Sequence, residues 1–181
     1  SLPDRPSIQR RAVSSREQDY KKLVEPIPGV LHCQEFDIND TREWPHLTVA
    51  MYVVPEGGGP MSSALKELIW AELCQKGSLG FWQGRYLLYD VDERAVSFIL
   101  RVGVVQGYNP VTVQSAINAS LTAFFAPATR SIGETISFSV LHATVSSVPG
   151  VSWAEFDAPT GDVVCSSSEF PVYGGLTVVF Q

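Results

Sequence analysis

The chain has 181 residues, 45% of them hydrophobic, with 13 Lys+Arg against 19 Asp+Glu and a formal net charge of −6. At that length about two thirds of the unfolded surface is buried on folding, so a core forms without disulfide or metal staples, and the apolar content excludes a disordered chain. The acidic balance argues against nucleic-acid or membrane partners, because both draw on Lys and Arg neutralising phosphates, and the only adjacent basic pairs are Arg10-Arg11 and Lys21-Lys22.

Residues 1–13 carry Pro3, Pro6 and mixed charges and read as a linker or arm. Ser14-Ser15-Arg16-Glu17 fits a capping box, a hydroxyl and a carboxylate satisfying each other's free backbone N–H groups. A helix is expected from there to about residue 25, stopped by Pro26 and Pro28, which have no N–H to donate. Strands are expected over 30–37 and 47–55, with a polar turn at 40–45 between them. Gly57-Gly58-Gly59-Pro60 superficially resembles a phosphate loop, but no Gly-Lys-Ser/Thr follows and no GxGxxG is present. It reads as a strand-to-helix turn with Pro60 in the first helical turn. The helix after it has Leu65, Leu68, Ile69 and Leu73 as a core-facing stripe and ends at Gly77.

Residues 85–89 form the next expected strand, and Asp90, Asp92 and Glu93 read as a solvated turn. A long strand is expected over 95–105, rich in Val, Ile, Leu and Phe. Asn109-Pro110 then supplies an N-cap and a proline at the first helical position. Val113, Ala116, Ile117, Ser120, Leu121 and Phe124 line one face of that helix, which Pro127 ends. An extended piece at 133–138 and a helix over 139–148 follow, with Leu141, Val145 and Val148 inward. Strands at 151–157 and 172–180, and an edge pairing at 162–165, close the chain.

A repeat runs through this order. Ile27-Pro28-Gly29-Val30 leads to a strand ending Glu35-Phe36-Asp37, and Val148-Pro149-Gly150-Val151 leads to one ending Glu155-Phe156-Asp157. Strand–Pro60–helix likewise corresponds to strand–Pro110–helix, but the order is αββαβ in the first half and βα(β)αββ in the second. The expected fold is therefore α+β: two small ferredoxin-like α/β sandwich domains, over 14–90 and 91–181, related by a permuted internal repeat.

A search for chemistry yields no catalytic, cofactor-binding or metal-binding residues. His32 and Cys33 are neighbours on a strand and point to opposite faces. His46 has no carboxylate at ligand spacing, and His142 sits among apolar residues on a helix. Cys33, Cys74 and Cys165 are odd in number, far apart and without CxxC or Cys-His spacing, which excludes the usual zinc patterns and fits thiols in a reducing compartment. Neither GxSxG nor HExxH occurs. Phe81-Trp82, Tyr86 and Tyr89, and the pair Phe124-Phe125, fit either core packing or exposed anchors for a partner subunit. No run of about 20 apolar residues is present to span a membrane. The chain starts Ser1-Leu2-Pro3 without methionine, and an upstream portion is expected.

Arg11-Ala12-Val13-Ser14, Asp19-Tyr20 and Pro28-Gly29-Val30 together resemble the middle of the baseplate J-like family of tail proteins. Tyr52-Val53-Val54-Pro55 with Gly58-Gly59-Pro60 looks like that family's next strand and turn. Gly107-Tyr108-Asn109-Pro110 with Val113 resembles its GYDP..V element, Asn replacing Asp as the helix cap. Ile132-Gly133-Glu134, Val148-Pro149-Gly150-Val151 and Phe170-Pro171-Val172 with Gly174 are similar to its C-terminal end. The resemblance implies a non-enzymatic structural wedge component of a phage-type contractile-tail or injection-system baseplate. It implies docking in a sixfold ring with other wedge proteins and copies of itself, relay of the contraction trigger, and assembly in the bacterial cytoplasm. No cofactor, metal, nucleic-acid or membrane partner follows from it. A small ferredoxin-like ligand-binding or regulatory module is the alternative.

Overall fold

The computed structural model describes residues 20–35, 48–76 and 85–181. The chain divides into two compact units between Asp90 and Val91. The expected capping box at 14–17, the turn at 40–45, His46, the Gly77 stop and Phe81-Trp82 lie outside the described residues. The fold is α+β, with small sheets packed against helices.

In the first unit, residues 20–24 are helical and lead through Pro28-Gly29 into β1 (Val30–Glu35). Then come β2 (Thr48–Pro55), α1 (Ser63–Lys76) and β3 (Arg85–Asp90). The sheet order is β1-β2-β3, antiparallel between β1 and β2 and parallel between β2 and β3. A parallel pair needs a crossover, and α1 supplies it. Every residue from Ala50 to Pro55 is buried, so β2 reads as a continuous apolar run rather than an alternation. Met51 and Val53 meet Leu65, Ile69 and Leu73 of α1, and Tyr20 and Val24 close the same core.

Two expectations about α1 need correction. Leu68 is 53% exposed, not part of the core stripe. At about 100° per residue it lies roughly 100° from the centre of the arc that Leu65, Ile69 and Leu73 define, beyond the reach of the sheet. Pro60 precedes the helix instead of starting it, and Ser62 caps it, its hydroxyl accepting from the Leu65 N–H at 3.2 Å.

The second unit runs β4 (Asp92–Val104), α2 (Pro110–Phe124), β5 (Thr135–Ile136), α3 (Phe138–Ser146), β6 (Val151–Ala158), β7 (Val163–Val164) and β8 (Glu169–Phe180). Its main sheet is ordered β6-β4-β8, with β4 antiparallel to β6 and parallel to β8, and β5 and β7 form a separate antiparallel pair. Val96, Phe98, Leu100 and Val102 of β4 all point to one face and pack with Val113, Ile117 and Leu121 of α2 and Leu141 and Val145 of α3. Asn109 caps α2 as expected, its Oδ1 accepting from the Val111 N–H at 2.9 Å with Pro110 next to it. Tyr173 ties β8 to α2 by donating to Asn118 Oδ1 at 2.6 Å, and burial raises its phenol above the ordinary value.

Two boundaries differ from the sequence reading for the same reason, a partner distant in sequence. β4 starts at Asp92, inside the expected solvated turn, because β8 begins at Glu169 and pairs with it from Asp92↔Glu169 onward. The Ser168 hydroxyl donates to the Asp92 carboxylate at 3.1 Å, while Asp92 and Glu93 keep their side chains exposed. Phe138 starts α3 rather than ending an extended segment, because its N–H is satisfied by Asp162 Oδ1 at 2.7 Å from 24 residues away.

The two Pro-Gly-Val turns share one hydrogen-bonding scheme. Ile27 N–H donates to Val24 O and Val30 N–H to Ile27 O; Val148 N–H donates to Val145 O and Val151 N–H to Val148 O. Gly29 and Gly150 sit at φ of 94° and 91°. The Gly29 carbonyl accepts from Glu56, just past the end of β2, and the Gly150 carbonyl accepts from Val105, just past the end of β4, both at 2.9 Å. A Cβ on Gly150 would lie 2.5 Å from the Tyr108 ring and 2.8 Å from Val113, whereas one on Gly57 would meet open space. Gly57→Ala is expected to lose only the left-handed backbone penalty of about 1–2 kcal/mol. Gly150→Ala is expected to lose about 1–3 kcal/mol more from overpacking, both read by equilibrium urea unfolding.

Candidate interaction surfaces

Among the described residues, no three or more His, Cys, Asp or Glu side chains are grouped to hold a metal. Cys33 is buried with its Sγ 3.8 Å from the Lys21 carbonyl, while neighbouring His32 is half-buried. His142 lies along the seam between α3 and β6, its Nε2 3.3 Å from the Ala154 carbonyl and its Nδ1 3.3 Å from the Ser146 hydroxyl. The exposed ring packs beside Phe138 and Phe156. The three cysteines form no disulfide. Burial, with Glu169 adding to it, pushes the Cys165 thiol above the ordinary value.

The acidic stretch at 90–93 separates into structural contacts. Asp90 accepts from the Met61 N–H at 2.7 Å and pairs with Lys66 at 3.1 Å, joining the end of β3 to the start of α1. Asp92 is held by Ser168 in the second unit. The glycine turn has φ of 86°, 76° and 75° at Gly57, Gly58 and Gly59, a left-handed path that only glycine adopts readily.

The described aromatics of the two sequence clusters serve packing. Phe125 is buried 5.9 Å from Phe98 and 6.3 Å from Tyr173, ring centre to ring centre. Phe124 lies under the Arg130 guanidinium at 4.1 Å, and Tyr89 packs against Tyr52 at 5.5 Å.

The exposed apolar groups sit elsewhere. On α1, Trp70 borders a depression of about 400 Å³ with Leu87 and Leu88. Leu68 borders a groove of about 450 Å³ against Leu23, Pro26 and Ile27. In the second unit the helix-free face of the β6-β4-β8 sheet carries Ile99, Trp153 and Val179, all exposed, around an ion-paired Arg101. The indole of Trp153 lies across Gly103, where an added Cβ would fall 2.1 Å from Nε1. Sequence reasoning took 95–105 as one apolar strand and missed this face, although Ser97, Arg101 and Gly103 share the parity of Ile99 and mark that side as the one away from the core.

Residues 96–179, which take in this sheet and both helices packed on it, match the family model described as the baseplate J-like protein C-terminal domain. Over those residues the second unit is similar to a baseplate J-like C-terminal domain. Among solved structures, the chain resembles one in the cryo-electron microscopy structure of the anti-feeding prophage baseplate, sixfold symmetrised, with a TM-score of 0.55 and 17% identity. The match covers 86% of this chain and 36% of that one, so this chain spans little more than a third of the baseplate chain's length. At that identity the likeness is one of fold. No curated protein sequence matches significantly.

Asp90→Ala is expected to destabilise the first unit by about 1–3 kcal/mol, because the Met61 N–H loses a charged acceptor. Lys66→Ala is expected to cost less than about 1 kcal/mol, since that ion pair is largely in water; chemical denaturation of both variants checks the difference. Iodoacetamide is expected to alkylate Cys165 much more slowly in the folded chain than in urea, its rate rising at a higher pH than for an ordinary thiol. Mass spectrometry of the labelled peptide reads that profile.

Proposed function

We propose that this chain is a non-enzymatic structural component of the baseplate of a phage-type contractile tail or related injection machine. The baseplate J-like match over residues 96–179 carries the reading, and the fold likeness to the anti-feeding prophage baseplate chain supports it over 86% of the chain. Within that reading it is a wedge component, docked to other wedge proteins and to copies of itself in a sixfold ring. A ring of this kind relays a trigger by exchanging one set of packed interfaces for another. Neither nucleic acid nor membrane is a partner, and the protein assembles in the bacterial cytoplasm before entering the particle.

We also propose that the domains at 14–90 and 91–181 are permuted copies of one helix-on-sheet module. In each, the central strand has one antiparallel and one parallel neighbour. β1, β2 and β3 correspond to β6, β4 and β8. The antiparallel neighbour enters through the matched Pro-Gly-Val turn, and the register pairs Val30 with Pro55 in one unit and Val151 with Val104 in the other. The helix–turn–strand piece precedes the strand–helix piece in the first domain and follows it in the second. Ferredoxin-like, in this sense, names the two-layer plan and not the strand directions, since each sheet includes a parallel pair.

Cryo-electron microscopy of the parent particle tests the structural role. Density fitting these two units within a sixfold baseplate ring is the expected outcome. Absence of the chain from purified particles, with the intact protein free in the lysate, overturns it.

A further inference from the structure

We propose that the helix-free face of the β6-β4-β8 sheet docks a cationic, apolar segment of a different protein, and not the same face of a second copy. The sheet is mixed, and α2 and α3 pack against only one side of it; a sheet with antiparallel strands commonly leaves its other face to solvent, and that face is then ordinarily polar. On the other side the outward residues form three adjoining rows across the strands. Ile99 stands beside Thr177, Arg101 between Glu155 and Val179, and Gly103 beside Trp153. Ile99, Trp153 and Val179 are 43%, 42% and 50% exposed, an apolar set on a face whose solvated residues are ordinarily polar. Trp153 is held flat by its approach to Gly103, which presents a rigid aromatic surface of the kind that anchors interfaces.

Charge decides against this face pairing with itself, and the chain's overall charge of −6 makes a second copy a poor source of a cationic segment. Arg101 donates to both oxygens of Asp157, at 3.2 and 2.9 Å, and reaches Glu155 at 2.9 Å, so one guanidinium serves two exposed carboxylates and the patch retains a net negative charge. The surrounding unit offers no compensation. Residues 91–181 contain Arg94, Arg101 and Arg130 and no lysine, against Asp92, Glu93, Glu134, Glu155, Asp157, Asp162 and Glu169. Two such faces brought together oppose like charges, which costs association and disfavours that pairing. A partner presenting lysine beside aliphatic side chains neutralises the spare carboxylate and covers Trp153 at once.

The identity of the occupant extends the baseplate reading, but the face and its chemistry do not depend on it. The test compares the full chain purified alone with the same chain in its native assembly, by hydroxyl-radical labelling of Trp153 and zero-length carbodiimide coupling, both read by mass spectrometry. The expected result is several-fold slower labelling of Trp153 in the assembly, with Glu155 or Asp157 coupled to a lysine of a different protein. A double variant, Glu155→Gln with Asp157→Asn, is expected to abolish that coupling and weaken the protection. Val179→Thr, which keeps a β-branched residue in the strand, is expected to weaken the protection without unfolding the sheet. Equal labelling in both states overturns the docking face. Protection without carboxylate coupling overturns the cationic partner, and coupling to Lys21, Lys22, Lys66 or Lys76 of a second copy overturns the choice of a different protein. A protected, coupled face on a chain missing from tail particles keeps this proposal and removes the baseplate role; an unprotected face on a chain present in them does the reverse.

Discussion

The second unit depends on β4 being hydrogen-bonded on both sides at once. Its residues 99–104 pair with β6 on one side and residues 92–102 with β8 on the other, and its alternate residues from Val96 to Val102 supply the apolar ridge on which α2 and α3 rest. A strand in this position has no freedom of register, because a slip of one residue turns that ridge outward and buries Ser97 and Arg101 in its place. The pairing with β8 joins residues more than seventy positions apart, so the core is complete only when the last strand has returned to the first.

The first unit places β2 in the equivalent role by a different sequence strategy. Its residues from Ala50 to Pro55 are buried on both faces, whereas β4 buries one face and leaves the other accessible. Both central strands end against the carbonyl of a left-handed glycine in a Pro-Gly-Val turn. The turn thus stops a helix, starts a strand and fastens the far end of the central strand with a single backbone geometry.

Much of this was legible in the sequence where the determinant was local. Asn109-Pro110, the Pro-Gly-Val turns and the stripe Val113, Ile117, Leu121 each declare themselves within one or two helical turns, and each is where the residues place it. The readings that changed rest on distant partners. Nothing near Asp92 announces that Glu169 will pair with it, and nothing near Phe138 announces that Asp162 will accept its N–H. Leu68 changed for a geometric reason, since i,i+3 spacing from Leu65 satisfies a helical template while lying at the margin of the buried arc. The exposed side of Ile99 was legible by parity, since it alternates with Ser97 and Arg101, but that its apolar group is joined there by Trp153 and Val179 depends on strands far along the chain.

The distribution of lysine has a practical meaning of its own. All four lysines, Lys21, Lys22, Lys66 and Lys76, precede residue 91, so any reagent that attacks side-chain amines marks the first unit alone. Tethering the protein to a surface through amines leaves the lysine-free half unmodified. Trypsin, for its part, finds only Arg94, Arg101 and Arg130 in that half; Arg94 and Arg101 both lie within β4, and Arg130 is ion-paired with Glu134.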